Sequence, residues 1–401
     1  MVELLSPAGN FEKMEAALRY GADAVYLAGQ RFGMRAAADC FSIEELRRAC
    51  DVCHGMGKKL YLTLNVMPHP AEYPDLERFL CEIRDIPLDA YIIADLGVLS
   101  LAKRISPDKD IHISTQASVL SAESANMYRN LGAKRVVLSR ELTFEEIADI
   151  RAKTPRDLEL EAFIHGAMCI SYSGRCFISN HFTDRDANRG ACTQPCRWIY
   201  HFTEEKRPDM PITAIESERG TLLLGSKDLC MIEHIPELMQ SGITSFKIEG
   251  RMKSAYYAAV TANTYRLAID SYLKDPEGYR FDPEWRAELE SVSHREYDTG
   301  FFFDRPQDDP KLAKSAGYLQ SKAYLADCIG YDPDTGLAKF IQKNKATVGQ
   351  AVEILSPGKT GRAFTITEMF DEKGQPIESC PRPYMEFYIK IKASFGDILR
   401  A

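Results

Sequence analysis

Apolar residues along the first 270 positions gather in short runs, and each run is followed by a stretch whose apolar positions recur at helical spacing. The runs at 3–6, 23–29, 59–65, 90–95, 111–116, 135–139, 158–165 and 245–249 read as buried strands. Between the first two, Phe11, Met14, Ala17 and Leu18 form one helical face behind an N-cap at Asn10. Ile43, Leu46, Ala49 and Val52 form the next, opened by Ser42 and Glu45 as a capping box. Further helices are predicted over 74–83, 97–104, 121–131, 143–150 (with Thr143 as cap), 231–239 and 255–272.

Eight strand–helix repeats predict an α/β fold, a (β/α)8 TIM-like barrel; an open doubly wound sheet is the alternative, and the repeat number favours closure. The rhythm breaks between the seventh strand and the helix at 231–239. Residues 166–225 are therefore an insertion on the face where barrel enzymes do their chemistry. The barrel is assigned to 1–275. A connecting segment at 276–316 is expected to pack on it through Gly300, Phe301, Phe302 and Phe303. From 317 to 401, short alternating runs divided by turn signals such as Ser356-Pro357-Gly358 predict a small all-β, barrel-like domain.

The net charge of −8 argues against wholesale coating of nucleic acid but leaves room for a local basic patch. No apolar run approaches the roughly 20 residues that span a bilayer, so no membrane partner is expected. The first residues lack the pattern of a secretory leader, and a cytoplasmic, reducing location is expected. In that setting the cysteines change the picture. Cys169, Cys176, Cys192 and Cys196 fall in the insertion, spaced C-x6-C-x15-C-x3-C, and read as ligands of a soft metal rather than as disulfides. Zinc and a [4Fe–4S] cluster both remain open: the C-x3-C pair suits zinc, while four irregularly spaced thiolates suit the cube. Cys230, just past Ser226-Lys227-Asp228, is an alternative ligand. Cys40, Cys50, Cys53, Cys81, Cys328 and Cys380 read as buried small hydrophobes or incidental surface thiols.

The run Glu161, Phe163, His165, Gly166, Cys169, Cys176 and Ser179 resembles the signature of the collagenase-like peptidase family U32. So do the stretches 6–9, 21–26, 226–228 and 247–251, and the resemblance spans the chain, β domain included. Around 180–188 and 190–198 it is nearest to the tRNA-modifying branch of that family. The resemblance implies a [4Fe–4S] cluster on Cys169, Cys176, Cys192 and Cys196. It also implies hydroxylation of RNA without molecular oxygen, forming 5-hydroxyuridine at the tRNA wobble position or acting on rRNA, with prephenate as hydroxyl donor.

Several residues match that chemistry, each with a plainer reading beside it. Arg140, Lys247 and Arg251 at strand ends are placed to hold a small dicarboxylate, unless they pair with Glu141 or Glu249. His165 reads as a proton shuttle or as a hydrogen-bonded loop histidine. Asn65, Gln116 and Glu3 are weaker candidates for hydrogen bonds to substrate. Arg175, Arg185, Arg189 and Arg197 interleave with Phe177, Phe182, Trp198 and Tyr200, the mixture that grips phosphates and stacks on unpaired bases; the plainer reading packs those aromatics on the barrel. Two rivals stand. One is a peptidase using a Cys169–His165 pair, although neither G-x-S-x-G nor H-E-x-x-H occurs and a ligating Cys169 is spent as nucleophile. The other is a zinc-stabilised, non-catalytic RNA-binding module.

Overall fold

The computed structural model describes residues 2–34, 40–198, 215–217, 220–222, 226–306, 311, 313 and 317–401; Tyr200 lies outside them. Strands β1 (Glu3–Pro7), β2 (Ala24–Ala28), β3 (Lys59–Leu64), β4 (Ala90–Ile93), β5 (Asp110–Ile113), β6 (Arg135–Val137) and β7 (Glu159–Ala167) lie side by side in chain order, all parallel. Helices α1 (Phe11–Arg19), α2 (Ile43–Gly55), α3 (Tyr73–Ile83), α4 (Leu96–Ile105), α5 (Ala122–Asn130) and α6 (Phe144–Lys153) fill the intervals. The caps form as the sequence predicts. Asn10 accepts from the Lys13 amide, and Ser42–Glu45 and Thr143–Glu146 are reciprocal capping boxes.

After β7 come α7 (Ile178–Thr183) and an antiparallel pair, β8 (Ile215–Ser217) with β9 (Gly220–Leu222). The chain returns as β10 (Asp228–Cys230), then α8 (Ile235–Gln240) and β11 (Ser245–Ile248). β11 pairs in parallel with both β7 and β1, which closes the barrel. α9 (Ala255–Lys274) and α10 (Pro283–Glu290) follow, and β12 (Tyr297–Asp298) pairs with β10.

The seventh strand runs two residues beyond the predicted end at His165, because β10 pairs antiparallel with its tip, Leu229 opposite Gly166 and Cys230 opposite His165. β10 is itself anchored by a buried pair, Arg295 Nη2 to Asp228 Oδ1 at 2.7 Å. In the aromatic segment Phe301 and Phe302 are buried and the Phe144 amide donates to the Phe302 carbonyl at 2.9 Å, whereas Phe303 is exposed, edge-on to Phe144. α10 within it carries little apolar signal beyond Trp285 and Leu289 and was not predicted.

The main core lies between the strands and their helices. Inside the barrel the floor is ionic. Arg135 meets Glu159 and Glu161 at 2.7 and 2.9 Å and also pairs with Glu3, whose carboxylate accepts from Tyr61. Glu3 therefore closes the N-terminal end of the barrel; it does not face substrate, contrary to its reading at the sequence level, because it is the first residue of β1 and not the last.

Strands β13 (Tyr324–Asp332), β14 (Leu337–Gln342), β15 (Ala351–Leu355), β16 (Arg362–Thr365), β17 (Met369–Phe370), β18 (Glu386–Lys390) and β19 (Ile398–Arg400) form one antiparallel sheet, an all-β half-barrel with β16 and β17 at its edges. Its own core holds Phe340, Phe387 and Ile354, while Leu355 and Ile398 join the core of the barrel. Arg400, fully buried, crosses to Glu288 of α10, and Tyr20 of α1 donates to the Leu355 carbonyl at 2.8 Å. No helix among the described residues is long and apolar enough to cross a membrane.

Candidate functional site

A cavity opens at the C-terminal ends of the barrel strands, with about 1180 Å³ of space counting its mouth. The barrel contributes Tyr26, Asn65, Gln116, Arg140, Phe163, Lys247, Glu249 and Arg251 to its wall. The insertion contributes Cys169, Cys176, Cys192 and Cys196, so the spaced thiols of the sequence converge on one space.

The insertion is tied down at several points. Arg140 donates to the Ala167 carbonyl and the Ser173 hydroxyl, both at 2.9 Å, and Ser118 donates to the Ser173 carbonyl at 2.8 Å. Gly174 sits at φ +75°, where a Cβ would stand 2.6 Å from the Gln116 carbonyl oxygen, so this approach needs glycine. Further along, Arg189 pairs with Glu72 and Asn188 Nδ2 donates to the Cys176 carbonyl at 3.1 Å.

All eleven cysteines are free. Burial pushes the Cys196 thiol up to about 11; Arg197 opposes this, and Cys169, Cys192 and Cys176 add to it, which places those three thiols within electrostatic reach of Cys196. The Gln194 amide donates to Cys192 Sγ at 3.3 Å, the contact that suits a sulfur carrying charge. Among the described residues no three Cys, His, Asp or Glu side chains stand in ready-made metal-binding geometry. The thiols share a cavity; they do not form a finished cage. Cys230 is not part of that wall. It is buried on β10 beside the Tyr265 hydroxyl, 4.0 Å from its sulfur. Cys50 and Cys53 are buried on α2, with thiols pushed up to about 12 chiefly by burial, as inert core residues should be.

The three predicted cations line the cavity, and among the described residues each has a partner other than Glu141 or Glu249. Lys247 pairs with Glu161 at 2.7 Å, Arg140 holds the insertion, and Arg251 Nη1 donates to Thr63 Oγ1 at 3.2 Å. Glu249 instead accepts from the Tyr26 hydroxyl, and Glu141 from Ser139. His165 is not on the wall. Its ring is enclosed by Tyr257, Tyr265 and Tyr297, Nδ1 faces the Tyr265 hydroxyl at 3.4 Å, and Nε2 has no partner among the described residues. Burial lowers its pKa to about 3. The structure thus does not assemble the Cys169–His165 pair that a cysteine peptidase needs.

On the outer surface of the insertion Arg175 and Arg185 are exposed, and Arg197 reaches the Gln194 side chain at 2.5 Å and the Tyr318 hydroxyl at 3.1 Å. Phe177 is 71% exposed, and Phe182 and Trp198 are exposed as well, so these rings are not packed away on the barrel. Sequence reasoning missed the ionic floor and the role of Glu161 in it; charged side chains inside a barrel announce themselves only as interruptions in otherwise apolar strands.

Comparison with known proteins agrees with this architecture. The family model "Peptidase family U32" matches residues 9–311, and "Peptidase family U32 C-terminal domain" matches 320–400. A "tRNA hydroxylation protein P1" of Bacillus subtilis (strain 168) is 37% identical, covering 95% of this chain and 90% of that protein. "tRNA hydroxylation protein P" of Escherichia coli (strain K12) is 35% identical over 94% of this chain and 91% of its own length. A "23S rRNA 5-hydroxycytidine C2501 synthase" of the same organism is 35% identical over 68% of this chain but only 40% of that longer protein. With both of its domains matched in order, the chain belongs to peptidase family U32.

Proposed function

We propose that this chain is an RNA-hydroxylating enzyme, acting on tRNA to form 5-hydroxyuridine at the wobble position with prephenate as hydroxyl donor. The observation that carries the reading is the convergence of four thiols and three cationic side chains on one cavity at the barrel mouth. Relatives named for tRNA and rRNA hydroxylation, two of them similar over nearly the whole chain, support it.

The donor set fits a [4Fe–4S] cluster: Cys169, Cys176, Cys192 and Cys196 would hold it, with Cys192 already accepting an amide N–H. Such a cluster supplies electron transfer and an electrophilic iron when bound. The chain's own residues do the rest. Arg140, Arg251 and Lys247 offer fixed positive charge to the carboxylates of the donor. Asn65 and Gln116 present amides that can read the edge of an extruded base, and Tyr26 and Phe163 give it an apolar wall. Arg175 and Arg185 with Phe177, Phe182 and Trp198 provide the outer platform, gripping phosphates and stacking on unpaired anticodon-loop bases. A cytoplasmic location goes with this substrate.

Anaerobic purification with iron, sulfide and zinc analysis tests the metal. About four irons and four sulfides per chain are expected, lost in Cys196→Ala and kept in Cys230→Ala. Stoichiometric zinc without colour would instead favour the binding-module reading. Mass spectrometry of tRNA nucleosides from a gene-deletion strain tests the reaction; unchanged 5-hydroxyuridine, with no paralogue present, would overturn it.

A further inference from the structure

We infer that Glu161 is a positioning residue, which fixes the Lys247 ammonium at the floor of the cavity with donors to spare for an anionic substrate group. This rests on the reading of that cavity as a binding site for a small carboxylate. Glu161 is 0% exposed, and both its oxygens are engaged. Oε1 accepts from Lys247 Nζ at 2.7 Å; Oε2 accepts from Arg135 Nη1 at 2.9 Å and Ser245 Oγ at 3.1 Å. Arg135 is held in turn by Glu3 and Glu159, so the carboxylate that grips Lys247 is itself immobile.

Lys247 is nearly as buried as its partner, yet it lines the cavity. An ammonium carries three N–H donors. One goes to Glu161, and Nζ lies 4.5 Å from the Tyr26 ring centre and 5.4 Å from that of Phe163. Glu161 is its one hydrogen-bond acceptor among the described residues. A buried donor left with only ring faces is costly, and the one place from which an acceptor can arrive is the cavity. The rings forbid lateral movement, Glu161 forbids retreat, and the remaining N–H groups meet whatever enters. Glu3, Glu159 and Glu161 stand around Arg135 on the far side of Glu161, so the ammonium has carboxylates behind it and the cavity in front.

The test uses the full-length holoprotein and two readouts. The first is the rate at which acetic anhydride acetylates Lys247, followed by peptide mass spectrometry with the exposed Lys390 as internal reference. Release of the amine in Glu161→Gln should speed modification about tenfold, as expected for loss of a charge-assisted hydrogen bond. Glu161→Asp, which keeps the charge for Arg135 but withdraws the carboxylate from Nζ, should speed it less and serves where the amide variant does not fold. The second readout is the prephenate dissociation constant. Glu161→Gln should weaken binding about tenfold in the wild-type background and by less than about twofold when Lys247 is already methionine. Unchanged acetylation in both Glu161 variants would overturn the inference, and so would an equal loss of prephenate binding with and without Lys247. Faster acetylation with no prephenate binding by any form, wild type included, would uphold the positioning role and sink the donor reading alone.

Discussion

Three buried histidines give the interior its acid sensitivity. Burial lowers His165 to about 3, and it also lowers His112 and His294 below the ordinary imidazole value. In the unfolded chain each returns to about 6.5. Below that pH the unfolded chain takes up protons that the folded one refuses, so stability falls as pH drops, by up to about 1.4 kcal/mol per pH unit for each histidine. His165→Gln should therefore make the dependence of unfolding free energy on pH shallower between about pH 6 and 4, as read from urea titrations at several pH values. An unchanged slope would show that His165 is not held neutral. The same residue shows where reading the sequence fails. Its place in a signature beside Cys169 suggested chemistry, but a shift of direction at the tip of β7 sends its ring into a cage of tyrosines. The cysteines were legible because their crowding has no structural rationale in a reducing setting. The pairing of Glu161 with Lys247, 86 residues away, was not, because only closure of the barrel brings them together.

That shift is built into one element. Gly166 lies in β7 at φ +105°, where a Cβ would collide with the Glu249 carbonyl oxygen, and here the tip of the strand, still paired with β11 at His165, gains the antiparallel β10 as a neighbour beyond the end of β6. Gly166→Ala should cost about 1–3 kcal/mol of stability or more, measured by chemical denaturation, since it adds both strain and a clash. The barrel strands and helices were legible from periodicity and caps, but β10 was not. Three residues, Asp228–Cys230, are too few to show alternation, and the pairing depends on the far tip of another strand. The insertion, as an element, makes a separate prediction. Arg175 and Arg185 are exposed, and neither side chain has a hydrogen bond or ion pair among the described residues, so changing both to Gln should leave the melting temperature within a degree or two. It should weaken tRNA binding and reduce the slope of log affinity against log salt by about 0.7 for each arginine. Equal losses of stability would place them in the scaffold instead.

At the scale of the whole molecule the barrel and the small sheet share a core and a buried ion pair. Arg400 is fully enclosed, and its guanidinium is held by Glu288 of α10 and Glu353 of β15. Glu288→Gln leaves that charge under-compensated in a dry seam and should destabilise the protein by about 3–5 kcal/mol, seen as a lowered thermal transition. A change below about 1 kcal/mol would mean that water reaches the seam.

Closure of the barrel also sets an order of events during synthesis. β11, at Ser245–Ile248, is the strand that joins β7 to β1, and Cys196 leaves the ribosome roughly fifty residues before it. At about 5–20 residues per second the four thiols are available for about 2–10 s before the wall that will enclose them can form. The nascent chain therefore passes through a stage in which its most reactive side chains are accessible to carriers and to oxidants alike. On the proposed reading of those thiols as cluster ligands, how quickly they are claimed in that window bears on how much of the finished protein is usable.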